Sequence, residues 1–403
     1  MTNPLQSFAL WLDTLLSNLG LTQFAADVVE AILGVLALSI LVLVVDILLV
    51  WVERKTVARF QDRLGPNRLG PFGLIQPIAD VIKLLIKEDL IPKGADRILF
   101  NIPPIIALAA TLLLWAVIPL APSLVGTQID VGVLYIVAIG AISMLGIIIA
   151  GWASNNKYAL LGAFRAVAQM ISYEVPMVIA LMIPVILVGS MNIYEIVEQQ
   201  TIPFFFIVPV AALILLLSSI AELGRAPFDL VEAESEIVAG FHIEYSGMKF
   251  GMFYAGELLH ALTVGALFST FFLGGWKGPF VEQVPILGVF YLFIKALFIY
   301  WVIMWIKYSL PRLRIDHMLN FNWKFLTPLA IVLVMVVAVL QKVLVGVAPW
   351  IYFLAMLAAN LIILWIALSL ARTFLSRERK RVSEVKPVAS PDARPAQSGL
   401  AGD

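Results

Sequence analysis

Six carboxylates crowd one stretch of the chain. Residues 221–245 read AELGRAPFDLVEAESEIVAGFHIEY and carry Glu222, Asp229, Glu232, Glu234, Glu236 and Glu244, with Arg225 as the one strong base. Apolar runs flank the stretch at 203–222 and 250–273. A charged side chain at the centre of a bilayer costs about 2.5–3.5 kcal/mol on insertion scales. These acids therefore belong in a hydrated or protein-lined cavity, where they can hold, pass or repel protons. Packed like charges raise some carboxyl pKa values towards neutral, as a proton relay requires. The plain alternative is a solvated acidic loop. Against it, six acids face two bases between 222 and 249, on a surface that the rest of the chain marks as basic. Arg225 has Glu222 at i−3 and Asp229 at i+4 as local partners. Pro227 is expected to start or kink a helix, on which Glu232 and Glu236 would share a face and Glu234 would not.

A second stretch, 53–88, reads ERKTVARFQDRLGPNRLGPFGLIQPIADVIKLLIKE. Arg54, Arg59, Arg63 and Arg68 surround the turn signals Gly65-Pro66-Asn67 and Gly70-Pro71. Gln76, Asp80, Lys83 and Lys87 then recur at helical spacing on an otherwise apolar segment too short to span a membrane. The plain reading is an interfacial helix with an Asp80–Lys83 ion pair. The sharper one is a portal, whose apolar face admits a lipid-like molecule and whose arginines grip a polar head or an acidic partner. In a third stretch, 154–174, Ser154 or Asn155 can cap a helix, Arg165 and Gln169 share a face, and Glu174 enters the next apolar run just before Pro176. A headgroup-level carboxylate is the competing reading of Glu174.

Three charges lie inside apolar runs: Asp46, Glu257 and Lys295. Each is expected to face the interior of a bundle. Glu257 could extend the acidic stretch, whereas His260 reads as a core histidine. Trp301, Trp305, Trp323 and Trp350 read as interfacial anchors. The chain has no Cys, so it offers no disulfide, thiolate metal site or iron–sulfur ligation. His242, His260 and His317 stand in no ligand spacing, and the neutral net charge gives no footprint for nucleic acid.

The elements that hold these residues are helices in a membrane. The chain is 61% hydrophobic and 13% charged, against about 25% charged in an average soluble domain. We expect an all-α polytopic membrane protein with about nine transmembrane helices, at 29–52, 98–120, 131–152, 173–190, 203–222, 250–273, 286–308, 325–345 and 349–371. The last two, separated by 346–349, read as a tight helical hairpin. Residues 1–28 form an N-terminal interfacial segment, 29–371 the bundle, and 372–403 a disordered tail. Long loops fall at 53–97, 153–172 and 223–249. With nine crossings, 24 of the 27 Lys and Arg residues lie on one side. The N-terminus is then outside and the C-terminus cytoplasmic. Residues 1–53 contain no Lys or Arg, against the pattern of a cleaved leader. No internal repeat is evident, which counts against a stand-alone permease.

Together, ERKTVARFQDRLGPNRLGPFGLIQPIADVIKL, GWASNNKYALLGAFRAVAQMISYE and AELGRAPFDLVEAESEIVAGFHIEYSGMKF resemble the H-subunit family of respiratory complex I, NADH:quinone oxidoreductase. The likeness runs over roughly residues 45–330, through Gly275-Trp276, PRLRID at 311–316 and Trp323-Lys324. Leu258 departs from the family's usual Tyr, and one C-terminal helix exceeds the eight-helix core common in the family. The resemblance implies a bacterial inner-membrane component that forms the membrane side of a quinone chamber and couples quinone reduction to proton translocation. The carboxylates of such a funnel would be Asp80, Glu174, Glu222, Asp229, Glu232, Glu234, Glu236 and Glu257. Arg54, Arg63, Arg68, Gln76 and Arg225 would serve quinone access and binding. Quinone would be the substrate, with FMN and iron–sulfur clusters in partner subunits and no cofactor held by this chain alone. Partners would be the quinone-site subunits of the hydrophilic arm, small membrane subunits, antiporter-like proton-channel subunits and membrane lipid. The membrane subunit of a hydrogenase or ferredoxin-driven complex is an alternative, and a permease a more distant one.

Overall fold

A computed structural model of the chain describes residues 14, 18, 22–230, 236 and 238–384, with side chains to Thr373. Among the described residues the fold is all-helical, save one isolated bridge between Ala121 and Leu124. The long helices are α1 (Gln23–Phe60), α3 (Arg97–Leu114), α4 (Gly132–Ala153), α5 (Lys157–Val188), α9 (Gly247–Phe272), α10 (Leu287–Ser309), α12 (Thr327–Val343) and α13 (Pro349–Glu384). Between them lie α2 (Gln76–Ile86), α6 (Ile193–Gln199), α7 (Phe204–Ile207), α8 (Pro209–Glu222) and α11 (Ile315–Phe321). Among the described residues eight segments are long and apolar enough to cross a membrane, α11 and α12 forming one of them through a π turn at Asn322–Leu326.

Local signals set several of the ends. Asp96 Oδ1 accepts hydrogen bonds from Ile98 N and Leu99 N at the start of α3. Asn156, rather than Ser154 or Asn155, caps α5 through Tyr158 N at 2.9 Å. Ser154 is buried and donates back to Ala150 O. Gly189, at φ 81°, ends α5 in the left-handed region.

The main departures from the hydropathy reading concern length and continuity. The first helix runs to Phe60, so Glu53, Arg54 and Arg59 project from a helix and not from a loop. Residues 157–188 form one helix through Pro176 and Pro184, which joins the expected connector to the expected crossing. The run 203–222 is split at Val208, leaving α8 with 14 residues. The helix expected over 98–120 stops at Leu114, where the chain turns back and Thr127 N donates to Ala116 O. The last helix continues past 371 to Glu384. Pro227 lies in irregular chain between α8 and α9, and no helix covers it. Glu232 and Glu234 lie outside the described residues, as does most of the N-terminal segment.

The centre of the bundle is α9. Its small residues let neighbours approach closely: a Cβ on Gly265 would stand 2.5 Å from Ala296 O of α10. It packs against α10, α3 and α1, and buries Leu258, Leu259, Leu262 and Phe271. The second organiser is α5, which packs on α8, α4 and α12. The segments that link the helices at the site's end are tied to one another. Lys249 pairs with Asp89 at 2.8 Å, Asn156 Nδ2 donates to Glu244 at 2.7 Å, and Leu313 N donates to Pro227 O at 2.9 Å. Tyr245 stacks on Phe100 with ring centroids 4.1 Å apart. The basic stretches at 53–97 and 310–314 and the acidic stretch thus share one end of the bundle.

Candidate functional site

At that end, α8 hands the chain to the acidic stretch, and a buried glutamine fixes the hand-over. Gln169 on α5 is fully buried, and its Nε2 donates to Ala221 O at 2.5 Å and Phe228 O at 2.6 Å. These bonds hold both sides of the turn that carries Glu222 and Arg225. Arg165, one turn earlier on α5, bonds Glu236 at 2.5 Å, and Arg312 reaches the other oxygen of Glu236 at 2.6 Å. Arg165 foremost, with Arg312, holds the Glu236 carboxyl below its ordinary range although it is exposed to solvent.

Arg225 is 2% exposed and does not pair with Glu222 or Asp229, its expected local partners. The segment after α8 is not helical, so i±3 and i+4 neighbours do not face each other there. Its Nε instead bonds Glu257 on α9 at 3.3 Å, and its guanidinium lies 5.9 Å from the Tyr300 ring centroid. Burial opposes its charge, but Glu53, Glu257 and Tyr300 together keep it more firmly protonated than a free arginine. Glu53 on α1 is 6% exposed and accepts from Lys307 at 2.9 Å and from the Tyr308 hydroxyl at 2.8 Å. Sequence reasoning assigns this trio no role. A signal exists in the spacing, since Glu53 falls two helical turns after Asp46 on the same buried face.

Two adjoining cavities connect the acids. One is lined by Glu222, His242, Tyr254, Glu257 and His260. The other is lined by Glu174, Ser219, Glu222 and His260. Glu222 and His260 belong to both, so the carboxyls line up as Glu257, Glu222 and Glu174. Gly140 leaves room for Glu222, whose Oε1 would lie 3.6 Å from a Cβ there. His260 is buried, as a core histidine should be, but it stands between the cavities. Asp229 keeps one buried oxygen without a hydrogen-bond partner, apart from this line.

The stretch read as a portal lies beside α1. Trp51 Nε1 donates to Phe72 O at 3.1 Å and Lys55 Nζ to Leu64 O at 3.3 Å, which holds the turns against the helix. Arg54 bonds Asp80 at 2.5 Å, closer than Lys83 at 3.7 Å. A relay candidate and a portal candidate are therefore one ion pair. Arg63 and Arg68 are exposed, Arg63 bonding Gln61, and Gln76 is half-buried. Ile78, Ile82, Leu85 and Ile86 of α2 are exposed as a continuous apolar edge. Elsewhere, Lys295 donates to the carbonyls of Leu273, Gly275 and Lys277, closing the far end of α9 rather than joining the acids. No group of three or more His, Cys, Asp or Glu residues suited to a metal occurs among the described residues.

Residues 32–338 match the NADH dehydrogenase family, and so cover most of the chain and every residue that lines the two cavities. The chain belongs to that family. It is 48% identical to the H subunit of NADH-quinone oxidoreductase from Dehalococcoides mccartyi over 290 residues, 72% of this chain and 81% of that protein. It is 44% identical to the H subunit from Rickettsia canadensis over 324 residues, 78% of this chain and 95% of that protein. With the first of the numbered H subunits from Geobacter metallireducens it shares 44% identity over 326 residues, 78% and 98% of the two chains. The family match starts within α1 and ends within α12, so α13 and the tail lie beyond it.

Proposed function

We propose that this chain is the membrane subunit of a proton-pumping NADH:quinone oxidoreductase. In this reading it forms the membrane side of the quinone chamber and couples quinone reduction to proton translocation. The observation that carries the proposal is the line Glu257–Glu222–Glu174 through two adjoining cavities, in a member of the NADH dehydrogenase family. Quinone is the substrate. It reaches the chamber over the exposed apolar edge of α2 and past Arg54, Arg63, Arg68 and Gln76. FMN and iron–sulfur clusters are held by partner subunits of the hydrophilic arm, which docks on the end that carries the basic and acidic stretches.

The coupling acts through charge. Reduction of quinone to quinol takes up two electrons and two protons, and protons drawn from carboxyls of the chamber leave those carboxyls negative until they are refilled. Arg225, buried between Glu53 and Glu257, responds to that change because its partners are carboxylates on two different helices. A shift in its pairing alters the proton affinity of Glu257, then of Glu222 and Glu174 across the shared wall. We also assign Asp80, Asp229, Glu232, Glu234 and Glu236 to the set of carboxylates that the coupling uses. From Glu174 the change passes to small membrane subunits and antiporter-like proton-channel subunits.

We further infer nine crossings, with α7 and α8 together forming the fifth, the N-terminus outside and the C-terminus in the cytoplasm. In this orientation the chain spans a bacterial inner membrane with its basic loops inside, as positive charge requires. The test is substitution of Glu222 or Glu174 by Gln in the assembled complex. Each should cut quinone-linked proton pumping and turnover while electron flow from NADH to ferricyanide persists. Wild-type pumping in both variants refutes the coupling role. Co-purification of a nickel–iron hydrogenase in place of flavin and iron–sulfur subunits moves the chain to a sister complex.

A further inference from the structure

The end of α9 opposite the acids is closed by a cation that has no anion. There Gly274 at φ 74° and Gly275 at φ 48° turn the chain back in the left-handed region. A helix end leaves carbonyls without intrahelical partners. Lys295 of α10 meets these: its Nζ donates to Leu273 O at 2.9 Å, Gly275 O at 2.9 Å and Lys277 O at 2.8 Å. An ammonium has three N–H donors, so three carbonyl acceptors match the charged form. Among the described residues no carboxylate pairs with Lys295. The field of Glu198 reaches Lys277 alone. A mere staple needs no such charge, because a side-chain amide could donate to two of the same carbonyls without burying an ion. Lys277 extends the closure. Its Nζ donates to Glu198 O and Gln200 O, and buried Gln200 donates to Thr270 O of α9 at 2.9 Å.

The line of carboxyls stops just short of this cap. The cavity that holds Glu174 and Glu222 reaches Leu267 on α9, about 9 Å along the axis from Leu273 at 1.5 Å per residue. Phe268, Phe271 and Phe272 are buried beyond it, but so are Ser269 Oγ and Gln200 Oε1, which have no hydrogen-bond partner. Apolar packing alone therefore does not insulate the gap. We propose that Lys295, supported by Lys277, is an electrostatic seal that keeps protons on the carboxyl line from crossing to the opposite face of the membrane through this chain. This rests on the coupling reading given above. A proton in transit carries positive charge, and a fixed ammonium in a poorly screened site repels it, as cationic constrictions do in other pores. Protons on the line are then left with the lateral route from Glu174.

The test is passive proton conductance of the assembled complex in liposomes, driven by a potassium diffusion potential without NADH or quinone and read with a trapped pH dye. K295Q keeps hydrogen-bond donors and loses the charge, and should conduct protons several-fold faster than wild type. K295R keeps the charge and should stay tight. Protons retained per quinone reduced should fall in K295Q. The leak should disappear in K295Q/E222Q, because the protons arrive by way of Glu222; a role in packing alone predicts no such dependence. Wild-type tightness in K295Q overturns the proposal, as does an equal leak in K295R or a leak that survives E222Q. If K295Q does not assemble, K277Q decides: it should leak to a smaller extent, and a tight K277Q complex refutes the seal. Wild-type pumping in E222Q sinks the coupling reading itself, whereas loss of pumping in E222Q with a tight K295Q removes the seal alone.

Discussion

Replacing Gln169 by Leu should loosen the acidic stretch without unfolding the bundle, by an amount that the geometry bounds. The change removes two hydrogen bonds, to Ala221 O at 2.5 Å and Phe228 O at 2.6 Å. At about 1 kcal/mol net per bond, the loss is about 2 kcal/mol. Neither carbonyl is stranded, because Gly224 N still donates to Ala221 O at 3.1 Å and Leu230 N to Phe228 O at 3.1 Å. The further desolvation cost of an orphaned carbonyl therefore does not apply. Leu also removes Gln169 Oε1, a buried acceptor without a partner, which offsets part of the loss. A net cost of about 1–2 kcal/mol remains, equivalent to about 5–30-fold faster opening of the turn. Hydrogen exchange of the 221–230 amides in the detergent-solubilised complex reads that factor directly. Q169E should be worse than Q169L, since it turns a buried carboxylate on two carbonyl oxygens. Wild-type exchange in Q169L, or Q169E no worse than Q169L, refutes the role given to this side chain.

Two further predictions concern the same end of the bundle. Glu236 is held below its usual range by Arg165 and Arg312, so the clamp is complete above the unfolded value of 4.5 and weakens as pH falls below it. Protease protection of the 236–246 segment should drop on acidification below about pH 4.5, and E236Q should lack both the protection and its pH dependence. Gly162 on α5 lies against the turn Gly240–His242, where a new Cβ would stand 2.8 Å from Gly240 Cα. Gly162→Ala should cost about 1–3 kcal/mol in thermal stability by overpacking, whereas Gly34→Ala, which meets nothing within 4 Å, should be neutral. Equal melting temperatures for the two variants would show that the contact yields freely.

Much of the site is legible in the chain without any fold. A carboxylate beside an apolar run is conspicuous, because lipid leaves so few reasons for one. For that reason Glu174, Glu222 and Glu257 stand out, and the cavities place these three in one line. The spacing of Arg165 and Gln169 alone puts them on one face, and both reach the acidic stretch. The local pairing rule fails for Arg225 and is incomplete for Asp80, which pairs with Lys83 at 3.7 Å as expected but has a second partner. Partners for Arg225 at i−3 and i+4 meet it only on a helix, and this segment is not one. Lys83 is the local partner for Asp80, whereas the nearer cation is Arg54 on a different helix.

Composition and hydropathy are properties of each segment and its solvent, so they fix what does not depend on neighbours. An apolar run in lipid must satisfy its backbone internally, which makes it helical over most of its length, and the all-helical fold follows, whereas the breaks at Val208 and Leu114 depend on neighbours. So does the concentration of charge at the basic and acidic stretches. Distance in sequence carries no such information about partners. Glu53 meets Lys307 and Tyr308 more than 250 residues away, and Arg225 meets Glu257 across 32. Those meetings depend on how α1, α9 and α10 pack, through small residues such as Gly265 that set the distance of closest approach. The inventory of charges is thus a matter of sequence, whereas the choice of which charges face one another belongs to the packed bundle.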